Sequence, residues 1–182
     1  MYFLILLFSY LLGSIPTAYL AGKLWRGIDI RRYGSGNVGT MNARAVLGWG
    51  AAVPVFLLDL GKGMLVVYLA RLAGLEGNIA LLAAVVGHIY PVWLRWQGGK
   101  GLATAFGGLL LEQQFFGILA FCGVWLCIYL FSRDSDRAGL GGALAFTGLA
   151  AWRGVAPGKL WLVMIGLVVA WKHFVELTRK GR

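Results

Sequence analysis

Four short stretches of this sequence carry side chains able to do chemistry, and each lies beside long apolar runs. The first is Arg31-Arg32-Tyr33-Gly34-Ser35-Gly36-Asn37-Val38-Gly39-Thr40-Met41-Asn42-Ala43-Arg44. Its glycines let backbone N–H groups converge on one point. Ser35, Asn37, Asn42 and Arg44 add donors around that point, an arrangement suited to an anion with several oxygens, such as phosphate. Ser35 lies in no nucleophile-elbow pattern, so serine-hydrolase chemistry is a poor match. The second stretch pairs Gly87-His88-Ile89-Tyr90-Pro91 with Gly98-Gly99-Lys100-Gly101-Leu102-Ala103-Thr104. Gly98, Gly99, Lys100 and Gly101 directly precede an apolar helix, which sets N–H groups and a positive helix end beside an ammonium. A Walker A would need glycine where Leu94 stands and serine or threonine at Gly101, so nucleotide hydrolysis is rejected.

The third stretch, Asp59-Leu60-Gly61-Lys62-Gly63, puts opposite charges at i and i+3 inside an apolar run. It reads either as an intramembrane pair that fixes helix packing or as a functional site. In the fourth, Lys172-His173-Phe174-Val175-Glu176, His173 can accept a proton and Glu176, on the same helical face, can orient it. The alternative is a polar helix end reaching the headgroups. His88 is a second base candidate, or simply shapes a helix end. Cys122 and Cys127 lie in an apolar run without metal-type neighbours and are expected as buried small hydrophobes.

The elements that must position these residues are membrane helices. Of 182 residues, 59% are hydrophobic and 13% charged, against about 25% charged in ordinary soluble domains. Mean hydropathy is +0.75. The apolar residues fall in long runs, not in the alternation a transmembrane barrel requires. The net charge of +10 does not indicate nucleic acid, because the basic residues are scattered singly between apolar runs. Seven segments can be drawn: Tyr2–Gly22, Gly50–Leu72, Asn78–Leu94, Leu102–Leu111, Phe115–Phe131, Leu140–Trp152 and Leu160–Trp171. The first lacks a basic leader and a cleavage site, so it is read as a helix. Leu102–Leu111 is far short of the roughly 20 residues a span needs. No linker or repeat divides the chain, which predicts one domain, residues 1–182.

The basic residues orient this scheme. Seven spans put Lys23, Arg26, Arg31, Arg32, Arg44, Arg95, Lys100, Arg133, Arg137, Lys172, Arg179, Lys180 and Arg182 on one side. Only Arg71, Arg153 and Lys159 fall on the other, with Lys62 inside a span. By the positive-inside rule the C-terminus is cytoplasmic and Met1 outside.

The run GSGNVGTMNARAVLG, then DLGKG, then GHIYPVWLRWQGGKGLATAFG resembles the bacterial membrane acyl-phosphate:glycerol-3-phosphate acyltransferases (PlsY-type). The likeness extends from about residue 10 to residue 110, and GHxxP followed by GGKGxAT between membrane helices is its most specific part. It implies an all-α, seven-helix membrane fold with its site facing the cytoplasm of a bacterial inner membrane. It also implies transfer of a fatty acyl group from acyl phosphate to glycerol 3-phosphate without metal, cofactor or thioester. Ser35 matches the serine of the first motif, Gly98–Gly101 the phosphate loop, and His173 the histidine of the last motif. Several positions depart from the pattern. Arg44 stands one place before the motif arginine, which would fall on Ala45. Glu176 replaces an asparagine, and Asp134 and Asp136 stand in a loop that is serine-rich in the family.

The expected mechanism is direct transfer. Gly98–Gly101 hold a phosphate, Asn37, Asn42 and Arg44 orient the acceptor, Ser35 positions a substrate oxygen, and His173 or a substrate phosphate takes the hydroxyl proton. The fatty chain lies between helices, open to lipid. Two other readings remain at this point: an anion transporter with Asp59 and Lys62 on its pathway, and a non-catalytic lipid- or phosphate-binding paralogue.

Overall fold

The computed structural model describes residues 2–153 and 157–180, so the expectations for Met1 and Arg182 lie outside the described residues. All regular structure among the described residues is helical. The helices are α1 Tyr2–Gly13, α2 Thr17–Arg26, α3 Thr40–Leu47, α4 Trp49–Leu72, α5 Gly77–Ile89, α6 Leu102–Leu111, α7 Phe115–Ser132, α8 Ser135–Trp152 and α9 Pro157–Lys180. Short 3₁₀ turns occupy Ile30–Arg32 and Val92–Leu94. Five stretches are long and apolar enough to cross a membrane: Tyr2–Arg26, Trp49–Leu72, Gly77–Leu94, Phe115–Ser132 and Gly158–Lys180. Side chains such as Phe3, Leu24 and Phe131 are left largely uncovered, as expected where lipid rather than water surrounds the helices. This is a polytopic integral membrane protein.

The first apolar segment, expected as one helix over Tyr2–Gly22, is broken at Ser14–Pro16 into α1 and α2. Proline cannot supply the N–H that a continuous helix needs. α2 ends at Gly27, whose φ of 66° turns the chain back so that its N–H and that of Ile28 bond the Lys23 and Gly22 carbonyls.

The chain forms two compact units, Met1–Gly108 and Leu109–Arg182. In the first, α1 packs on α5, α4 on α5, and the short α3 on α4. Small residues let these backbones approach closely, as in other membrane bundles. A Cβ at Gly13 would strike the Ala84 carbonyl, and one at Gly87 the Tyr10 carbonyl. α6 gains its seat the same way: Gly63 abuts the Thr104 carbonyl, and Gly107 the Leu60 carbonyl. Its ten residues reach about 15 Å, half of a hydrocarbon core. Its length alone is too short to cross.

In the second unit α8 packs against both α7 and α9. Asp134 caps α8, its carboxylate accepting the N–H groups of Asp136 and Arg137 at 2.7 and 3.2 Å. α8 buries a face of Asp136, Ala138, Gly139, Gly142, Ala143, Phe146 and Ala150. Cys122 and Cys127, expected to be buried, are both exposed on α7. That helix buries only Gly117 and Phe121, and an apolar thiol needs no protein cover on a lipid-facing surface.

Candidate functional site

In the first unit the polar stretches Arg31–Arg44 and Gly98–Gly101 come together. Gly99 lies against the Val38 carbonyl, so a Cβ there would meet it at 2.6 Å. The Arg31 guanidinium donates to the Leu94 carbonyl at 3.3 Å and grips Asp29 through Nε and Nη2 at 3.0 and 2.7 Å. The hydrogen bonds from Arg31 hold the Asp29 carboxyl below its ordinary range.

Within the first stretch Asn42 is a structural hub. Its Oδ1 accepts the Ser35 N–H at 2.9 Å, and its Nδ2 donates to the carbonyls of Tyr33 and Ile30 at 3.1 and 3.2 Å. It is 2% exposed. The sequence offered Asn42 as a donor to substrate, but its amide is turned inward and organises the loop. Ser35 is exposed at the tip of this turn, its N–H donating to Asn42 and its hydroxyl oxygen accepting the Asn37 N–H at 3.4 Å. Gly36, at φ 72°, makes the turn possible next to it. Asn37 keeps a buried Oδ1 without a hydrogen-bond partner. The exposed Arg44 guanidinium sits 4.5 Å over the Trp49 ring, a cation–π arrangement that leaves its donors in the ring's periphery available.

The glycine-rich loop is anchored more tightly than its sequence implies. The Gly98 and Gly99 N–H groups bond the Ile89 and His88 carbonyls, each at 3.1 Å. They hold the loop on the end of α5 and are not presented to an anion. The offer to a phosphate therefore narrows to the loop's second half, Lys100 and Gly101, and the first turn of α6. Gly101 adopts φ 80°, a conformation glycine reaches without strain. Just upstream, Arg95 and Trp96 take left-handed conformations at φ 53° and 65°. Non-glycine residues do so at a cost of about 1–3 kcal/mol each, and here they turn the chain from the 3₁₀ turn back onto α5.

Beneath the loop lies a buried polar cluster. Asp59, 1% exposed, accepts from Thr17 Oγ1 at 2.7 Å and pairs with Lys62 at 2.8 Å. Lys62 also donates to the Ile15 carbonyl where the first segment is broken. His88 Nδ1 lies 3.6 Å from Asp59 and 3.3 Å from Thr104 Oγ1, while the other edge of its ring backs onto Gly99. A pair so enclosed by protein donors ties α2, α4, α5, α6 and the break between α1 and α2 together. Lys62 borders an apolar cavity of about 380 Å³ whose walls include Leu12, Leu20, Trp25, Pro54 and Leu58.

In the second unit His173 is 1% exposed. Its Nδ1 lies 3.0 Å from Asp136 Oδ1, and Lys180 Nζ meets Asp136 Oδ2 at 2.6 Å. The expected partner, Glu176, is elsewhere: it pairs with Lys172 at 2.7 Å and Arg179 at 3.4 Å. Spacing of i and i+3 put Glu176 on the right face, but two nearby cations outcompete a single imidazole for its carboxylate. Asp136 was legible only as a charge in a loop; one cue was its place three residues before Gly139 on a face of small residues. Among the described residues no group of three His, Cys, Asp or Glu could hold a metal ion.

Comparison with known proteins agrees with these motifs. The family model for glycerol-3-phosphate acyltransferase matches residues 3–180. A glycerol-3-phosphate acyltransferase of Synechococcus sp. (strain CC9902) is 39% identical, covering 97% of this chain and 90% of the relative. One from Gloeobacter violaceus is 41% identical, covering 94% and 87%. The crystal structure of PlsY (YgiH), an integral membrane glycerol 3-phosphate acyltransferase, in its glycerol 3-phosphate form superposes with a TM-score of 0.80. It is 32% identical, covering 97% of this chain and 90% of that one. The same protein in its lysophosphatidic acid form gives 0.78. The chain belongs to the glycerol-3-phosphate acyltransferase family.

Proposed function

We propose that this protein transfers a fatty acyl group from acyl phosphate to glycerol 3-phosphate, giving lysophosphatidic acid and phosphate. The observation that carries the reading is the meeting of two glycine-rich polar stretches at Gly99 and Val38, at one end of a unit otherwise made of apolar helices. Both substrates carry phosphate, and both stretches have the chemistry of anion recognition. Lys100, Gly101 and the start of α6 take a phosphate, and Arg44 and Asn37 orient the acceptor, with Asn42 holding the loop in shape. Ser35 positions a substrate oxygen. Acyl phosphate is a mixed anhydride with a good leaving group, so positioning and charge stabilisation are the main requirements. The acceptor oxygen attacks the acyl carbonyl carbon, the carbon–oxygen bond to phosphate breaks, and the hydroxyl proton passes to a substrate phosphate or to His173. The apolar cavity bordered by Lys62 suits the fatty chain.

The basic-residue bias further supports a seven-span arrangement, with Met1 outside and the C-terminus and polar loops in the cytoplasm of a bacterial inner membrane. In this reading residues 1–182 work as one acyltransferase domain. Purified protein given acyl phosphate and a panel of phosphorylated and neutral polyols tests the activity by product mass. Lysophosphatidic acid formed from glycerol 3-phosphate is expected. Equal acylation of glycerol, or phosphate-dependent binding with no product, overturns it.

A further inference from the structure

We propose that His88 is a positioning residue for the phosphate loop: its one imidazole holds both ends of residues 99–104, which present Lys100 and Gly101 between them. The inference rests on reading that segment as the seat of a substrate phosphate. It makes His88 neither the base nor the bare helix end that its sequence context suggests.

The main chain supplies the first contact. The His88 carbonyl accepts the Gly99 N–H at 3.1 Å, beside the Ile89 carbonyl on Gly98. The buried ring then adds one contact on each side. A Cβ built at Gly99 would collide with its Nε2 and Cδ2 edge, so the imidazole lies directly against that glycine. Nδ1, on the other edge, faces Thr104 Oγ1 at 3.3 Å. Thr104 is fully buried in the first turn of α6. Gly99 and Thr104 are five positions apart, and Lys100 and Gly101 fall between them.

The segment needs such a clamp. Three of the four residues 98–101 are glycine, which has more conformational freedom to lose than any other residue. An ammonium pre-organises an oxyanion site only where its backbone is fixed beforehand, and a loop free at either end would let Lys100 wander. Holding Thr104 also fixes the first turn of α6, whose leading N–H groups have no partner within the helix and follow directly on Lys100 and Gly101. His88 is in turn held from below. Its Nδ1 lies 3.6 Å from Asp59, which Thr17 and Lys62 grip at 2.7 and 2.8 Å. Gly87 seats the preceding backbone on the Tyr10 carbonyl. The buried charges thereby gain a use: they are the footing of the clamp.

Wild type, His88→Asn, Thr104→Val and Lys100→Ala, with Lys100→Ala also added to each of the other two, test the proposal by acyl-transfer kinetics and by hydrogen exchange of residues 98–104. His88→Asn keeps a polar atom where Nδ1 was and deletes the edge against Gly99. Thr104→Val keeps the volume and deletes the hydroxyl. Each should lower kcat/KM about three- to thirty-fold. The loss should fall on KM of the same substrate whose KM rises in Lys100→Ala, with kcat changed less than about threefold. Exchange across residues 98–104 should quicken while α4 and the body of α5 stay protected. Lys100→Ala should cost less than about threefold on top of either variant, because an ammonium already displaced has little left to lose. Losses that simply multiply, or unchanged exchange in a folded His88→Asn, overturn the clamp and leave the phosphate reading in place. No acyl transfer in the wild type, or wild-type kinetics in Lys100→Ala, removes the reading on which the inference rests, and the inference with it. Should His88→Asn not fold, Thr104→Val decides by the same two measurements: a multiplying loss or unchanged exchange there overturns the proposal.

Discussion

Converting Asp59 to asparagine removes one charge from the buried cluster and leaves the rest of its shape. The Lys62 ammonium, whose side chain is 5% exposed, then loses a carboxylate 2.8 Å away. At that separation and an effective dielectric of about 20, two unit charges attract by roughly 6 kcal/mol. The Ile15 carbonyl, 3.0 Å from Nζ, and the new amide dipole recover part of this. The expected net cost is about 3–5 kcal/mol, the usual result of stranding one member of a buried pair. For a chain of this size that lowers Tm by about 6–20 °C. Thermal unfolding in detergent reads this directly, with acyl transfer measured in parallel. The double variant Asp59→Leu, Lys62→Met separates stability from function. Replacing both charges by apolar residues is neutral or stabilising in many proteins, so Tm should recover most of its loss. Activity should not recover, because His88 loses the carboxylate 3.6 Å from Nδ1 and with it the firmness of the seat under Gly99. A single variant within about 2 °C of wild type, or a double variant no more stable than the single, refutes this account of the cluster.

Further outcomes are expected at other positions. Lys100→Ala should lower kcat/KM by about ten- to hundred-fold, equivalent to roughly 1.5–3 kcal/mol of charge-assisted bonding; wild-type kinetics would make the loop structural only. Asn42→Ala removes three hydrogen bonds inside the first loop and should cut activity severely in a protein whose helices remain folded by circular dichroism. Glu176→Asn should change kcat less than threefold, since Glu176 contacts Lys172 and Arg179 rather than His173; a large fall in turnover would restore it as the orienting group. The Asp29 carboxyl, held low by Arg31, gives the first loop support that is fully present above the carboxylate's unfolded value of about 3.9. That support is lost as pH falls through the lowered folded value, so protease protection of this loop should fail at acid pH, and Asp29→Asn should lack it at every pH. Cysteine labelling should place Lys100 and Lys180 on one side of the membrane and Arg153 on the other; Lys100 and Arg153 on the same side would reject seven spans.

What the sequence determined by itself is what depends on local composition and order. Runs of apolar residues about as long as a bilayer is thick have few physical alternatives to membrane helices, so the all-helical membrane fold was legible, as was α6 as a helix too short to cross. The motif order GSGN, DLGKG, GHIYP and GGKG likewise identified the family, because several fixed spacings together are far more specific than any one. The pairing of Asp59 with Lys62 needed only helical periodicity. Tertiary structure decided everything that depends on competition between partners. Spacing could not tell that Glu176 would prefer Lys172 and Arg179, or that a carboxylate 37 residues upstream would take His173 instead. It could not tell that Asn42 would satisfy its own loop, or that the Gly98 and Gly99 N–H groups would be claimed by α5 before any phosphate arrived. A side chain's type limits which bonds it can make. Which bond it does make depends on what the fold brings within about 3 Å of it, and a linear sequence does not contain that distance.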